Sequence, residues 1–314
     1  MMSSGAGPAL EASGLSKCFG TLTAVDRLSF AVSRGEIFGL VGPDGAGKTT
    51  AMRMFASVMR PDAGSIVIDG IDVLAHPEKT KHHVSYMPQR FGLYEDLTVE
   101  ENIRFYADLF EVPRALWETR AESMLVASDM AQFRNRLAGQ LSGGMKQKLG
   151  LTCSLVHTPR VLLLDEPTTG VDPLSRREFW QILYSLRAEG VAMLISTAYL
   201  DEAERCDRLA LLHEGKMMYC DTPAKLKARM PGGMLEVVSP DPRKVREIVL
   251  HLGGVQGVLL VGNGAHVHVD DAPLRATQLA QALSAAGVQA TRIAEVAPTI
   301  EDLFVALLDE HAEA

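Results

Sequence analysis

The octapeptide Gly42-Pro43-Asp44-Gly45-Ala46-Gly47-Lys48-Thr49 decides how this 314-residue chain is read. It fits the spacing G-x-x-x-x-G-K-[ST] at every fixed position. The apolar run IFGLVG (residues 37–42) before it predicts a strand, and the apolar spacing of residues 48–59 predicts a helix that stops at Arg60-Pro61. A glycine-rich loop between strand and helix lets successive backbone N–H groups curl around phosphate oxygens, and the helix offers its positive end to them. In that arrangement Lys48 reaches the outer phosphates, the hydroxyl of Thr49 ligates Mg²⁺, and Thr50 continues the cradle.

The flanking text fills in the fold. Residues 9–32 alternate as short strands, and residues 65–70, SIVIDG, predict another. From about Phe91 to Leu155 the pattern is helical, with ENIRFYADLF and RALWETRAESMLVAS both amphipathic. Apolar strands return at 161–165, 191–197 and in RLALLHEG. Strands alternating with helices imply an α/β fold: a mainly parallel sheet with an antiparallel β part and a helical subdomain at about 91–155. After TPAKLKARMPGG the order becomes βαββαβ, which predicts a small ferredoxin-like α+β domain. The expected organisation is therefore a tail at 1–8, a nucleotide-binding cassette at 9–223, a linker at 224–233 and an accessory domain at 234–314.

The second half of the site is VLLLDE. An apolar strand ending in Asp165 places a fixed carboxylate where Mg²⁺ is held, and Glu166 next to it is placed to polarise an attacking water. A third element, Leu141-Ser142-Gly143-Gly144-Met145, opens a helical run. A serine and two glycines at a helix start offer a hydroxyl and free N–H groups to an anion. Since the chain already has one phosphate loop, a second anion site suggests a nucleotide held by another subunit.

Together these residues resemble the ATP-binding cassette transporter family, with LSGGM matching its signature motif; the resemblance covers about Ala9 to Pro223. It implies a role for Gln89 in YMPQRFG as the glutamine that senses nucleotide and metal and contacts the membrane subunit. It implies that Asp172 in Gly170-Val171-Asp172 bridges two cassettes, and that Phe19 in KCFG stacks on adenine. It further implies a head-to-tail dimer that sandwiches ATP and Mg²⁺ between one cassette's phosphate loop and the other's signature. The closing part, ending PTIEDLFVALL, looks like the C-terminal extension of cassettes serving separate multidrug-export permeases.

Two positions depart from the family's pattern. Ala198 in Ser196-Thr197-Ala198 stands where the family has a histidine that contacts the γ-phosphate. A methyl group cannot donate that hydrogen bond, so the chain's own site is expected to bind ATP and turn over slowly. Tyr199 does not obviously replace it, because successive strand side chains point to opposite faces. His82, His83 and His213 are expected on exposed turns or helices, away from the switch position. Asp44 stands where asparagine is commoner and brings an extra carboxylate near the phosphates. With the signature intact, both a homodimer and a pair of different cassettes fit the residues.

Composition bounds the rest. A net charge of −8 disfavours non-specific nucleic-acid binding. The four cysteines, Cys18, Cys153, Cys206 and Cys220, form no CxxC pair and suit a reducing compartment. No apolar run is long enough to span a bilayer. The expectation is thus a cytoplasmic ATPase subunit, peripheral on the membrane through a permease partner, that energises export of a drug-like or hydrophobic compound. The rival readings are a regulatory ATP-binding module with little turnover, and a cassette used off the membrane. The latter usually carries tandem cassettes, coiled-coil arms or zinc modules, none of which is seen here.

Overall fold

A computed structural model describes residues 7 to 312, with side chains to 308. The expected tail at 1–8 lies mostly outside the described residues. The chain forms two units: the first runs to Tyr199 and resumes over Cys206–Cys220, and the second comprises Leu200–Arg205 with the chain from Asp221 onward.

The first unit opens with the long antiparallel pair β1 (Leu10–Phe19) and β2 (Leu22–Val32). β3 (Ile37–Val41) is buried at every position and leads into the phosphate loop and α1 (Lys48–Phe55). α1 ends four residues sooner than its apolar spacing suggests, because the backbone turns left-handed at Ser57 (φ 58°). β4 (Ala63–Ile68) and the short β5 (Ile71–Asp72) complete a four-stranded antiparallel sheet of order β2-β1-β4-β5. After α2 (Pro77–Thr80), β6 (Val84–Met87) joins the main sheet.

The helical subdomain follows as α3 (Val99–Leu109), α4 (Arg114–Ala127) and α5 (Gly143–Leu155), with its own core around Ile103, Trp117, Leu125 and Leu149. α3 starts at a reciprocal capping box: the Thr98 hydroxyl accepts from the Glu101 amide while the Glu101 carboxylate accepts from the Thr98 amide. β7 (Val161–Asp165), α6 (Pro173–Ala188) and β8 (Ala192–Thr197) return the chain to the main sheet. The short α7 (Leu200–Ala203) belongs to the second unit, after which β9 (Arg208–His213) and β10 (Lys216–Asp221) finish the first.

The main sheet has the order β10-β9-β3-β8-β7-β6, with β6, β7, β8, β3 and β9 parallel. A parallel sheet buries both faces, so its strands are continuous apolar runs. Its side chains divide between two cores, one around Phe38, Leu40, Phe55 and Leu163, the other around Leu162, Leu164, Phe179 and Trp180.

The second unit has the anticipated βαββαβ order: α8 (Pro223–Lys227), β11 (Gly233–Val238), α9 (Pro242–Val249), β12 (Val255–Val261), β13 (Gly264–Val269), α10 (Ala272–Ala285) and β14 (Arg292–Val296), then α11 (Ile300–Ala312). Its antiparallel sheet has the order β12-β13-β11-β14. Leu235, Val237, Ala265 and Val267 form its core with Val245, Leu279 and Leu283 from α9 and α10. The stretch expected to be linker at 224–233 contains most of α8 and the start of β11. The inclusion of Leu200–Arg205 was not anticipated, since a helix of four residues carries no period to assign it.

Candidate functional site: the phosphate-loop cleft

The loop connecting β3 to α1 takes its shape from contacts that only small residues permit. Gly47 has φ 97°, and a Cβ there would lie 2.1 Å from the Ala24 carbonyl oxygen. The Lys48 ammonium is buried, and its three hydrogens meet three acceptors: the carbonyls of Gly42 (2.8 Å) and Pro43 (2.9 Å) and Glu166 Oε1 (3.2 Å). A phosphate entering the cradle therefore exchanges with contacts already made inside the protein.

Asp165, 1% exposed at the end of β7, sits where three hydroxyls converge. Its Oδ1 accepts from Thr49 Oγ1 (3.1 Å) and Ser196 Oγ (2.5 Å), and its Oδ2 accepts from the Tyr86 hydroxyl (3.1 Å). Burial, reinforced by the Asp165 charge, pushes the Tyr86 phenol far above its ordinary pKa and keeps it a donor. The oxygen-only set of Thr49 and Asp165 suits a hard divalent cation such as Mg²⁺. Sequence reasoning missed Tyr86 and Ser196; both stand at strand positions whose pairing brings them to Asp165, and that pairing is not written locally.

Glu166 adopts a left-handed backbone (φ 48°), a conformation costing about 1–3 kcal/mol in a non-glycine residue. Its amide donates to the Ser196 hydroxyl (3.0 Å) and carbonyl (3.1 Å), which fixes the turn. Glu166 Oε2 accepts from Gln89 Nε2 (3.0 Å) and, more weakly, from Thr169 Oγ1 (3.4 Å). With its amide nitrogen so committed, Gln89 has its carbonyl oxygen left for a metal.

A cleft of about 770 Å³ gathers Phe19, Thr23, Ala24, Asp44, Gly45, Gly47, Lys48, Thr49, Thr50, Gln89, Glu166 and Glu214. Gly42, Pro43 and Ala46 form the loop beneath it. Phe19 is 48% exposed, so it is not a core aromatic. Asp44, Glu166 and Glu214 outnumber the one lysine, so a polyanion entering the cleft needs a cation to accompany it. A separate cleft of about 440 Å³ lined from α4, α5 and α6 contains none of these residues.

The end of β8 lies against the loop, the Gly42 amide donating to the Thr197 carbonyl (3.3 Å). Ala198 follows directly. Tyr199 turns away: its ring stacks with the Arg176 guanidinium of α6 at 4.5 Å and does not line the cleft. His83 bonds Asp69 (2.8 Å), and His213 is the half-buried last residue of β9, not an exposed turn.

Ser142, Gly143, Gly144 and Asp172 do not line the cleft. Ser142 caps α5, its Oγ accepting from the Met145 amide (3.3 Å), and Asp172 caps α6 by accepting from Leu174 and Ser175. Those amides hold the Asp172 carboxyl below its ordinary pKa. The two helix starts touch closely: a Cβ on Gly144 would lie 2.5 Å from Ser175. Ser142, Gly143 and Asp172 are exposed, leaving a second polar surface apart from the chain's own cleft.

Comparison with known proteins follows the same division. Residues 25–169 match the family described as ABC transporter, and residues 222–308 match the C-terminal domain of DrrA1-3-like ATP-binding proteins. The chain is 43% identical over 91% of its length to a probable multidrug ABC transporter ATP-binding protein, YbhF, of Escherichia coli (strain K12), and spans 49% of that relative. It is 33% identical, over 98% of its own length and 97% of the relative's, to the daunorubicin resistance ATP-binding protein DrrA2 of Streptomyces coeruleorubidus. A solved structure of an ATP-binding subunit of an ABC transporter aligns at 31% identity and a TM-score of 0.65, covering 70% of this chain and 92% of the other. The chain belongs to the family of ABC transporter ATP-binding proteins.

Proposed function

We propose that this chain is the ATP-binding and ATP-hydrolysing subunit that energises export of a drug-like or hydrophobic compound through a separate membrane permease, working with a second cassette. The observation that carries the reading is the meeting of Lys48, Thr49, Gln89, Asp165 and Glu166 at one cleft. No helix among the described residues is long and apolar enough to cross a membrane, which is why a permease partner is part of the proposal. Relatives named for multidrug, daunorubicin and doxorubicin resistance support the choice of cargo class.

In this mechanism Lys48 leaves the loop carbonyls and Glu166 for the outer phosphates, and Phe19 stacks on the adenine. Thr49, Asp165 and the Gln89 carbonyl would hold Mg²⁺, which would neutralise charge on the phosphates. Freed from Lys48 and Gln89, Glu166 accepts the proton of a water whose oxygen bonds to the γ-phosphorus. The bond to the bridging oxygen breaks, and ADP and phosphate leave. Ser142, Gly143, Gly144 and Asp172 serve the opposing cassette's nucleotide.

Ala198 favours a second reading of the same site. A methyl group next to the loop leaves the water and base without the aligning donor, so this site is degenerate and a different cassette carries most turnover. Steady-state Mg-ATPase rates of the purified chain, beside Glu166→Gln and Ala198→His, test both readings. A low rate that Ala198→His raises, by up to roughly 10²-fold, supports the degenerate site. Robust turnover that Glu166→Gln abolishes overturns degeneracy and supports a self-sufficient homodimer. Turnover that Glu166→Gln leaves unchanged would sink the catalytic assignment.

A further inference from the structure

The end of β7 and the end of β8 are joined by one side chain. Asp165 and Ser196 stand opposite each other on these paired parallel strands. Ser196 is fully buried, and its hydroxyl is committed twice. It donates its hydrogen to Asp165 Oδ1 (2.5 Å) and accepts from the Glu166 amide (3.0 Å), which also reaches the Ser196 carbonyl (3.1 Å). A serine hydroxyl has one hydrogen to give. Here that hydrogen goes to the metal-site carboxylate, while the same oxygen holds the backbone of the general base.

These bonds differ from their neighbours in what happens when nucleotide enters. In the proposed mechanism, on which this inference rests, Lys48 leaves Glu166 Oε1 for phosphate and Gln89 leaves Glu166 Oε2 for the metal. The Glu166 side chain then keeps the weak bond from Thr169 (3.4 Å), and its backbone keeps the clamp from Ser196. On Asp165, Ser196 fixes one oxygen and Tyr86 the other. The Ser196 hydroxyl thus serves both residues and is not released by the ligand.

Glu166 needs such a clamp. Its φ of 48° is left-handed, and a non-glycine residue stays there only where neighbouring bonds over-determine the turn. Ala198, two residues beyond Ser196, offers no imidazole to aim the water and the base. The direction of the Glu166 carboxylate therefore depends on the backbone that carries it. A carboxylate that is to hold a hard cation depends equally on the donors that orient it.

We propose that Ser196 is a positioning residue of the ATPase reaction, its one hydroxyl setting the Asp165 carboxylate and the Glu166 turn in a fixed relation. Ser196 does not line the cleft, so it acts through those two residues.

The test compares the full chain with Ser196→Ala and with Ser196→Thr, which keeps the hydroxyl. ATP is titrated calorimetrically in Mg²⁺ and in EDTA, and phosphate release gives kcat at saturating Mg-ATP. In Ser196→Ala the affinity gained by adding Mg²⁺ should shrink by about tenfold, and kcat should fall by roughly 10–100-fold. Binding in EDTA and the melting temperature should hold, and Ser196→Thr should restore both losses. If Ser196→Thr does not fold, the comparison of Ser196→Ala with the unmodified chain decides; if unmodified turnover is too low to compare, the calorimetric arm decides. Ser196→Ala that keeps its metal gain and turnover overturns the assignment. So does a loss that comes only with weaker binding in EDTA and a lower melting temperature, which marks a merely structural role, or a folded Ser196→Thr that restores nothing. An unmodified chain that binds no ATP in either condition breaks the proposed function itself, and this assignment with it.

Discussion

The main sheet of the first unit and the sheet of the second bury polar side chains in opposite ways. In the first unit the parallel strands β3, β7 and β8 are apolar up to their last residues, and the chemistry stands at their carboxyl ends, where Asp165, Glu166, Thr197 and the phosphate loop meet. In the second unit the polar groups stand on a sheet face, with His266 and His268 alternating with core residues along β13. The cause is the covering of the strands. A parallel sheet sandwiched by helices leaves only its ends for polar groups, whereas an antiparallel sheet covered by α9 and α10 has a second face to furnish. Substitutions at strand ends should thus change activity with little effect on stability, and substitutions on the sheet face should do the reverse.

The largest effect expected is from Glu166→Gln, which keeps the hydrogen-bonding shape but removes the base. On the catalytic reading, ATPase turnover falls by roughly 10²–10⁴-fold while the melting temperature barely moves, measured by a phosphate-release assay and calorimetry. A matching loss of stability would break the comparison.

For the histidine on the sheet face, Asp302→Ala on α11 leaves His266 Nδ1 unpaired and removes the carboxylate that accepts from Thr299 at the start of that helix. The second unit should lose about 3 kcal/mol, read by denaturant unfolding, with nucleotide binding retained. Gly47→Ala tests the one place where backbone geometry alone decides the chemistry. Its Cβ meets the Ala24 carbonyl in a left-handed turn, so the first unit should lose roughly 2–3 kcal/mol and nucleotide affinity together.

The smallest effect is in the pH dependence of the second unit. The His266 pKa is raised, so its contribution is complete below the ordinary value of 6.5 and lost as pH rises through the folded value. The Asp302 pKa is lowered despite burial, through His266 and Thr299, so its contribution is present above the ordinary 3.8 and lost as pH falls through the folded value. Stability of this unit should therefore be greatest between those two values, and Asp302→Asn should flatten the profile. A profile unchanged by Asp302→Asn would show that other groups set it.

Much of this was legible because the signals are local. The strand–loop–helix around Lys48, the apolar run ending at Asp165, the cap at Ser142 and the βαββαβ order each follow from neighbouring residues. What escaped depends on distant pairing. Tyr86 and Ser196 reach Asp165 only because β6 and β8 flank β7. β10 was missed because KMMYCD lacks clean alternation, and the His266–Asp302 pair joins residues 36 positions apart.

Leu200–Arg205 also makes the chain cross between units more often than its domain order requires. In that segment Glu204 accepts from the Ile300 amide (3.1 Å) and from Lys227 Nζ (2.7 Å), so it is anchored within the second unit. The covalent path therefore leaves the main sheet after β8, is tied down there, and returns to form β9 and β10. Deleting everything after residue 221 would remove that anchorage and leave a hexapeptide with buried Glu202 and Ala203 suddenly wetted. A shortened gene would thus yield a cassette with a frayed stitch beside the switch position, and chains cut there should be cleared by proteases sooner than their intact sheet would suggest.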